Sequence, residues 1–204
     1  MDDQTLSEEI VNSITHGIAV GLSIAALVIL VVFSSIYGNV WHIVSFTIFG
    51  ATLVILYLAS TLYHSITNVR AKKILRYLDY SAIFVLIAGT YTPYALVALN
   101  GLVGWVLFGV VWGLALVGIV FQKYFNNVFR VVLYLVMGWI CIIPFKMIVD
   151  ALSLQSLVFL VIGGLAYTSG VGFYVIRIRF FHSIFHLFVM AGSVMHFFSV
   201  LLIL

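Results

Sequence analysis

The chain has 204 residues, of which 65% are hydrophobic and 7% charged, and a formal net charge of +3. Soluble domains carry roughly 25% charged residues, so composition excludes a soluble enzyme, gives no reason to expect a nucleic-acid partner, and defines an integral membrane protein. Nearly every residue is needed to cross the membrane, which leaves a single transmembrane domain over 1–204 that begins with a short acidic segment, 1–13.

That segment carries Asp2, Asp3, Glu8 and Glu9 and no Lys or Arg. This is the wrong sign for the start of a secretory signal, so the first apolar helix is expected to remain in the mature protein. Apolar runs of about 18 or more residues, enough to cross roughly 30 Å of hydrocarbon as helix, then follow at 14–35, 40–64, 80–99, 104–121, 131–149, 156–175 and 182–204. Short polar breaks separate them, among them Tyr37-Gly38-Asn39, Asn100-Gly101 and the stretch from Gln122 to Arg130. Backbone groups cannot stay unpaired in lipid, so the runs are α-helices packed as antiparallel neighbours, and their unbroken apolar character excludes a β-barrel. The expected fold is an all-α bundle of seven transmembrane helices.

Pro93 and Pro144 lie inside spans and should kink them, with the freed carbonyls met by Thr90 or by neighbouring helices. Gly17/Gly21 and Gly109/Gly113 have GxxxG spacing, and Gly163, Gly164, Gly170 and Gly172 stud the sixth span, which predicts close helix contacts there. Cys141 is the only cysteine and lies within a span, so no intrachain disulfide is expected.

Of the 9 Lys and Arg, all but Lys146 fall in the loops between spans two and three, four and five, and six and seven. Those loops share a side with the N-terminus. The inside-positive rule therefore puts the N-terminus in the cytoplasm and the C-terminus outside. The basic loop from Arg70 to Arg76 is expected to meet anionic lipid headgroups. Tyr37, Trp41, Tyr63 and Tyr77, with His42 beside Trp41, read as interfacial side chains.

This orientation gathers the rare ionisable residues of the apolar segments. His64 closes the second span, Asp79 opens the third, and His182 and His186 open the last, with His16 near the start of the first. Ionisable groups are costly in a bilayer and mark functional sites by default. His182 and His186 are four apart and share one helix face, as do Ser60 and His64. Two such imidazoles and a third from a facing helix offer three neutral nitrogens, and catalytic zinc takes three protein ligands plus an open position. Asp79 and Ser60 would then orient a ligand or a water. The same pattern serves an interhelical hydrogen-bond network without metal, and spacing leaves both readings open.

The segments Ser60-Thr-Leu-Tyr-His64, Leu78-Asp79-Tyr80-Ser81 and His182-Ser-Ile-Phe-His186 resemble the three motifs of the hemolysin III family, the bacterial branch of the progestin and adipoQ receptor proteins. Glu9-Ile-Val-Asn12-Ser-Ile-Thr-His16-Gly17, Gly89-Thr-Tyr-Thr-Pro93 and Val194-Met-His196-Phe-Phe extend the resemblance over essentially the whole chain. The resemblance implies a multi-pass protein of the bacterial inner (cell) membrane with seven helices, a cytoplasmic N-terminus and a Zn²⁺ ion near the cytoplasmic face. Its ligands would match His64, His182 and His186, and the aspartate matching Asp79 would hold the zinc-bound water. Related adiponectin receptors and alkaline ceramidases place the same serine, histidines and aspartate at a hydrolytic site for lipid amides.

The leading expectation is thus a zinc-dependent hydrolase of a lipid amide or ester, with Asp79 and Ser60 catalytic, membrane lipids around it and a lipid-like substrate or ligand within. A membrane sensor or regulator with structural zinc is a second class. A cytolytic, pore-forming protein is a third, and no helix carries the regular polar stripe of a wide pore. His16 is a candidate to support the site by hydrogen bonding. His196, ten residues beyond His186 and so about 15 Å deeper, is too far to join the same metal; it either lines an internal cavity or bonds a neighbouring helix.

Overall fold

Eight α-helices build the described chain, residues 4–176 and 178–204 of a computed structural model. They are α1 (Leu6–Tyr37), α2 (Val40–Ser65), α3 (Val69–Pro93), α4 (Gly101–Phe121), α5 (Asn127–Gly138), α6 (Phe145–Ala151), α7 (Leu154–Val175) and α8 (Phe181–Leu201), and no strand occurs among the described residues. Asp2 and Asp3 of the acidic segment, and Arg177 of the charge count, lie outside the described residues. Six helices are long and apolar enough to cross a membrane, with α3 counted through Leu99 and α4 through Tyr124. The bent pair that ends in α6 makes a seventh crossing if it counts as one.

The helix ends follow from capping chemistry more closely than from hydrophobicity. α1 begins at Leu6, inside the acidic segment, because Thr5 and Glu8 close a capping box: the Thr5 N–H donates to Glu8 Oε2 at 2.9 Å, and the Glu8 N–H donates to Thr5 Oγ1. α3 begins at Val69, well ahead of its apolar run, where Asn68 Oδ1 accepts from the N–H groups of Arg70 and Ala71 at 3.1 Å. The loop expected there is mostly helix.

The fifth span is not the single helix expected over 131–149. α5 stops at Gly138, a 3-10 turn covers Ile140–Ile142, and α6 restarts after Pro144 at 59° to it. Proline lacks the N–H an uninterrupted helix needs and its ring clashes with the preceding turn, so the chain breaks there rather than bends smoothly. Pro93 is tolerated differently, because α3 widens into a π-helical turn over Tyr94–Leu99. The Thr90 hydroxyl donates to the Leu86 carbonyl at 2.8 Å, not to Gly89, whose carbonyl Pro93 deprives of its helical donor.

Side-chain distribution is that of a lipid-embedded protein. Large apolar groups such as Ile14, Ile18, Leu22, Leu102 and Leu116 face outward, while Asn12, His16, Ser34, Ser45 and Thr92 are buried. Phe46, Phe49, Leu53 and Leu86 pack with Val189 and Val200 into one core, and Phe84, Ala88, Val111 and Met137 form a second between α3, α4 and α5. Hydroxyls satisfy each other inside: Tyr57 donates to Ser193 Oγ at 2.6 Å and Tyr94 to Ser199 Oγ at 2.8 Å.

The glycines that bring helices together are not those with GxxxG spacing. A Cβ on Gly21, Gly109 or Gly113 would meet nothing, and one on Gly17 only Thr61 at 3.8 Å. Close approach occurs instead at Gly50 against Leu27, Gly89 against Thr52 and Gly118 against Phe84. In α7, Gly163 and Gly170 are packed against α8, Gly164 meets Trp139 of the α5–α6 connection, and Gly172 is open. Spacing records which glycines share a face, not what that face meets.

α1 packs on α2 and α8, α2 on α3, α3 on α4, and α7 on α8, while α5 touches α3, α4 and α7 more thinly. Between them the helices leave a partly open cavity of about 170 Å³.

Candidate metal centre and cavity

α8 has no side-chain cap of its own, and the chain enters it through Phe180 in the left-handed region, at φ 63°. α1 supplies what is missing. Glu8 Oε1 accepts the Phe180 N–H at 2.9 Å, and one turn into α8 the Ser183 hydroxyl donates to Asn12 Oδ1 at 2.6 Å. Asn12 in turn donates from Nδ2 to Gln4 Oε1 at 3.0 Å. The first turns of α8, which carry His182 and His186, are therefore held by the N-terminal turns of α1.

On this support the three expected histidines converge. His64, His182 and His186 each offer one ring nitrogen, and these atoms lie within 4.8 Å of one another. Ring centroids are 5.3 Å apart for His64 and His182, 5.1 Å for His64 and His186, and 4.6 Å for His182 and His186. His64 and His186 are buried. His64 Nε2 and His186 Nδ1 have no hydrogen-bond partner among the described residues. Buried polar atoms rarely go unpaired, and two orphaned nitrogens in one cluster suit a shared cation.

The cavity starts at this cluster and runs inward. Ser60 and Asp79 line it beside His182 and His186, so of the seven positions singled out from the sequence as catalytic, ligating or supporting, all but His64 share one hollow, His16 and His196 among them. His16 stacks on His186, with centroids 3.5 Å apart and planes within 12°, and both of its ring nitrogens are buried without partners. Farther in, Ile87, Tyr91, Leu135 and Trp139 make the walls largely apolar. His196 also lines the cavity and its Nε2 bonds the Leu160 carbonyl of α7 at 3.2 Å; it is absent from the histidine cluster. The two sequence alternatives for His196, lining and interhelical bonding, are both realised.

His64 is the exception: it lines instead a separate crevice with Glu9, Ser13, Ser65 and Lys72. His64 Nδ1 lies 2.6 Å from Glu9 Oε2, and Lys72 Nζ donates to Glu9 Oε1 at 2.5 Å. Sequence reasoning had no periodic signal for this link, which spans 55 residues to His64 and 63 to Lys72. Two expected surface cations or polar groups are also engaged: Arg130 is buried with its guanidinium 4.3 Å over the Tyr80 ring, and His42 Nδ1 accepts the Asn39 N–H at the start of α2.

Fold and composition thus define a multi-pass membrane protein whose interior carries a three-histidine cluster able to hold a metal ion. The chain belongs to the haemolysin-III related family, whose model matches residues 4–197. It is similar to the Hemolysin-3 homolog of Bacillus subtilis (strain 168), with 51% identity over 201 residues that cover 97% of this chain and 94% of that protein. It is also similar to the Hemolysin-3 of Bacillus cereus, with 43% identity over 202 residues covering 97% and 92% of the two chains. The motif resemblance read from the sequence holds at the level of the family.

Proposed function

We propose that this protein is a zinc-dependent hydrolase of a lipid amide or ester, with its site at the cytoplasmic face. The observation that carries the reading is the convergence of His64, His182 and His186, the last two of which line a mostly apolar cavity together with Asp79 and Ser60. Zinc–nitrogen bonds of about 2.0–2.1 Å in a tetrahedron bring ligand nitrogens to roughly 3.4 Å, so small ring rotations take the 4.8 Å cluster to a binding geometry. Three histidines are the ligand number of a zinc site that keeps one position open.

Bound there, zinc would supply Lewis acidity toward a carbonyl and lower the pKa of water toward about 7. The chain's own residues do the rest. An Asp79 carboxylate oxygen accepts the proton of the attacking water and returns it to the leaving group. The Ser60 hydroxyl, one turn before His64, orients the water or the developing oxyanion by hydrogen bonding. The apolar walls beyond take an alkyl chain, which suits a substrate with one polar linkage and a long tail. The thin packing of α5 against α3 and α7 favours entry from the bilayer.

The test is turnover. Wild-type protein in nanodiscs is expected to hydrolyse a ceramide-like amide or an acyl ester, to stop when a chelator strips the metal and to recover when zinc is returned. Absence of zinc-dependent turnover on every lipid class, with chelation lowering only the melting temperature, would replace the enzyme by a membrane regulator with structural zinc. The cytoplasmic placement rests on the bias of basic residues; a cysteine at Lys72 is expected to react with an impermeant reagent only from the cytoplasmic side, and labelling from outside inverts the topology.

A further inference from the structure

A neutral imidazole has one N–H donor and one acceptor nitrogen, and the partner of one nitrogen decides the role of the other. A carboxylate can only accept. With Glu9 Oε2 2.6 Å from His64 Nδ1, the proton of a neutral His64 sits on Nδ1 and the lone pair on Nε2, the ring atom left without a hydrogen-bond partner on this member of the histidine cluster. The His64 side chain is 1% exposed and that of Glu9 14%, so this is no loose surface pair. Lys72, 26% exposed, holds the second carboxylate oxygen and lies 5.0 Å over the Tyr63 ring, which itself packs edge-on at 4.7 Å against His64. Glu9 and Lys72 line a crevice with His64 that is separate from the cavity, and Tyr63 touches both Lys72 and His64.

We infer that Glu9 is a positioning residue of the metal centre: it fixes His64 as the Nδ1–H tautomer and aims Nε2 at His182 and His186, while Lys72 holds the Glu9 carboxylate in place. The inference rests on the metal reading proposed above. Carboxylates that accept the second N–H of a ligating histidine orient the ring and raise its basicity, and their loss typically lowers metal affinity by roughly 10- to 100-fold. A simple ion pair tying the cytoplasmic ends of α1, α2 and α3 makes a different forecast, because Glu9→Ala, Glu9→Gln and Lys72→Met would all break it alike.

The experiment is a zinc competition titration against a chromophoric chelator, on full-length protein in detergent, for wild type, these three variants and His182→Ala. The metal-free forms are also compared by ¹⁵N histidine NMR. Glu9→Ala is expected to lose roughly 10- to 100-fold in affinity and to mix the His64 tautomers. Glu9→Gln, whose amide oxygen still accepts from Nδ1–H, should recover most of the affinity, and Lys72→Met should lose much less than Glu9→Ala. Equal losses in all three variants, or wild-type affinity in Glu9→Ala while His182→Ala has lost its zinc, overturn the role of Glu9 alone. Wild type that takes up no zinc overturns the metal reading and this inference with it.

Discussion

An Asp79→Asn protein is expected to fold, keep its zinc and turn over a lipid amide or ester roughly 10²-fold or more slowly than wild type, the usual scale for losing a general acid or base. Asparagine has nearly the same shape but cannot accept a proton from water. Asp79 lies on α3, ten residues inside a helix whose start is capped by Asn68, and lines the cavity with Ser60, His182 and His186; its replacement leaves the three nitrogens in place. Ser60→Ala should lose less, because a hydroxyl that orients water leaves the proton transfer itself intact. Steady-state rates in nanodiscs, with metal content measured on the same samples, decide the matter. Wild-type turnover in zinc-loaded Asp79→Asn would remove Asp79 from the chemistry.

The largest effect on metal content is expected at the ligands. Wild type should hold about one zinc per chain, and His64→Ala, His182→Ala and His186→Ala should each release most of it, since a three-nitrogen site loses a third of its protein ligands in each case. His196→Ala supplies the contrast. Its ring is bonded to the Leu160 carbonyl and lies ten residues farther along α8 than His186, about 15 Å by helical rise, so metal content should not change. Plasma emission spectrometry of purified, folded variants reads this directly, and full zinc occupancy in His182→Ala,His186→Ala would sink the assignment.

Much of this was legible from residue order because the bilayer imposes a length and a polarity on every crossing. The approximate positions of the spans and the meeting of α2, α3 and α8 around His64, Asp79 and His182 followed from that constraint. What it does not constrain was harder to read. The start of α1 depends on Thr5 and Glu8, a Thr-x-x-Glu signature that an acidic, unapolar segment conceals from a hydropathy reading. The break at Pro144 could be expected as a kink, but whether the chain bends or stops depends on what packs around it. GxxxG spacing marks a possible contact face, and only the neighbouring helix decides whether Gly109 and Gly113 use it. The bond from Glu9 to His64 joins residues far apart in sequence with no periodicity between them, so nothing short of the folded bundle pairs them.

The support of α8 by α1 has a consequence for how the protein comes into being. The chain is made from α1 onward, yet Glu8 and Asn12 meet their partners, Phe180 and Ser183, only at the opening of the last helix. Likewise His64 is inserted early, and His182 and His186 arrive with α8. A chain arrested before Phe181 presents one histidine of the three and nothing for α1 to brace. The cluster therefore cannot exist in a partial product of synthesis that ends before His186, and a captured ion would signal that the first and last helices had found each other across the bundle.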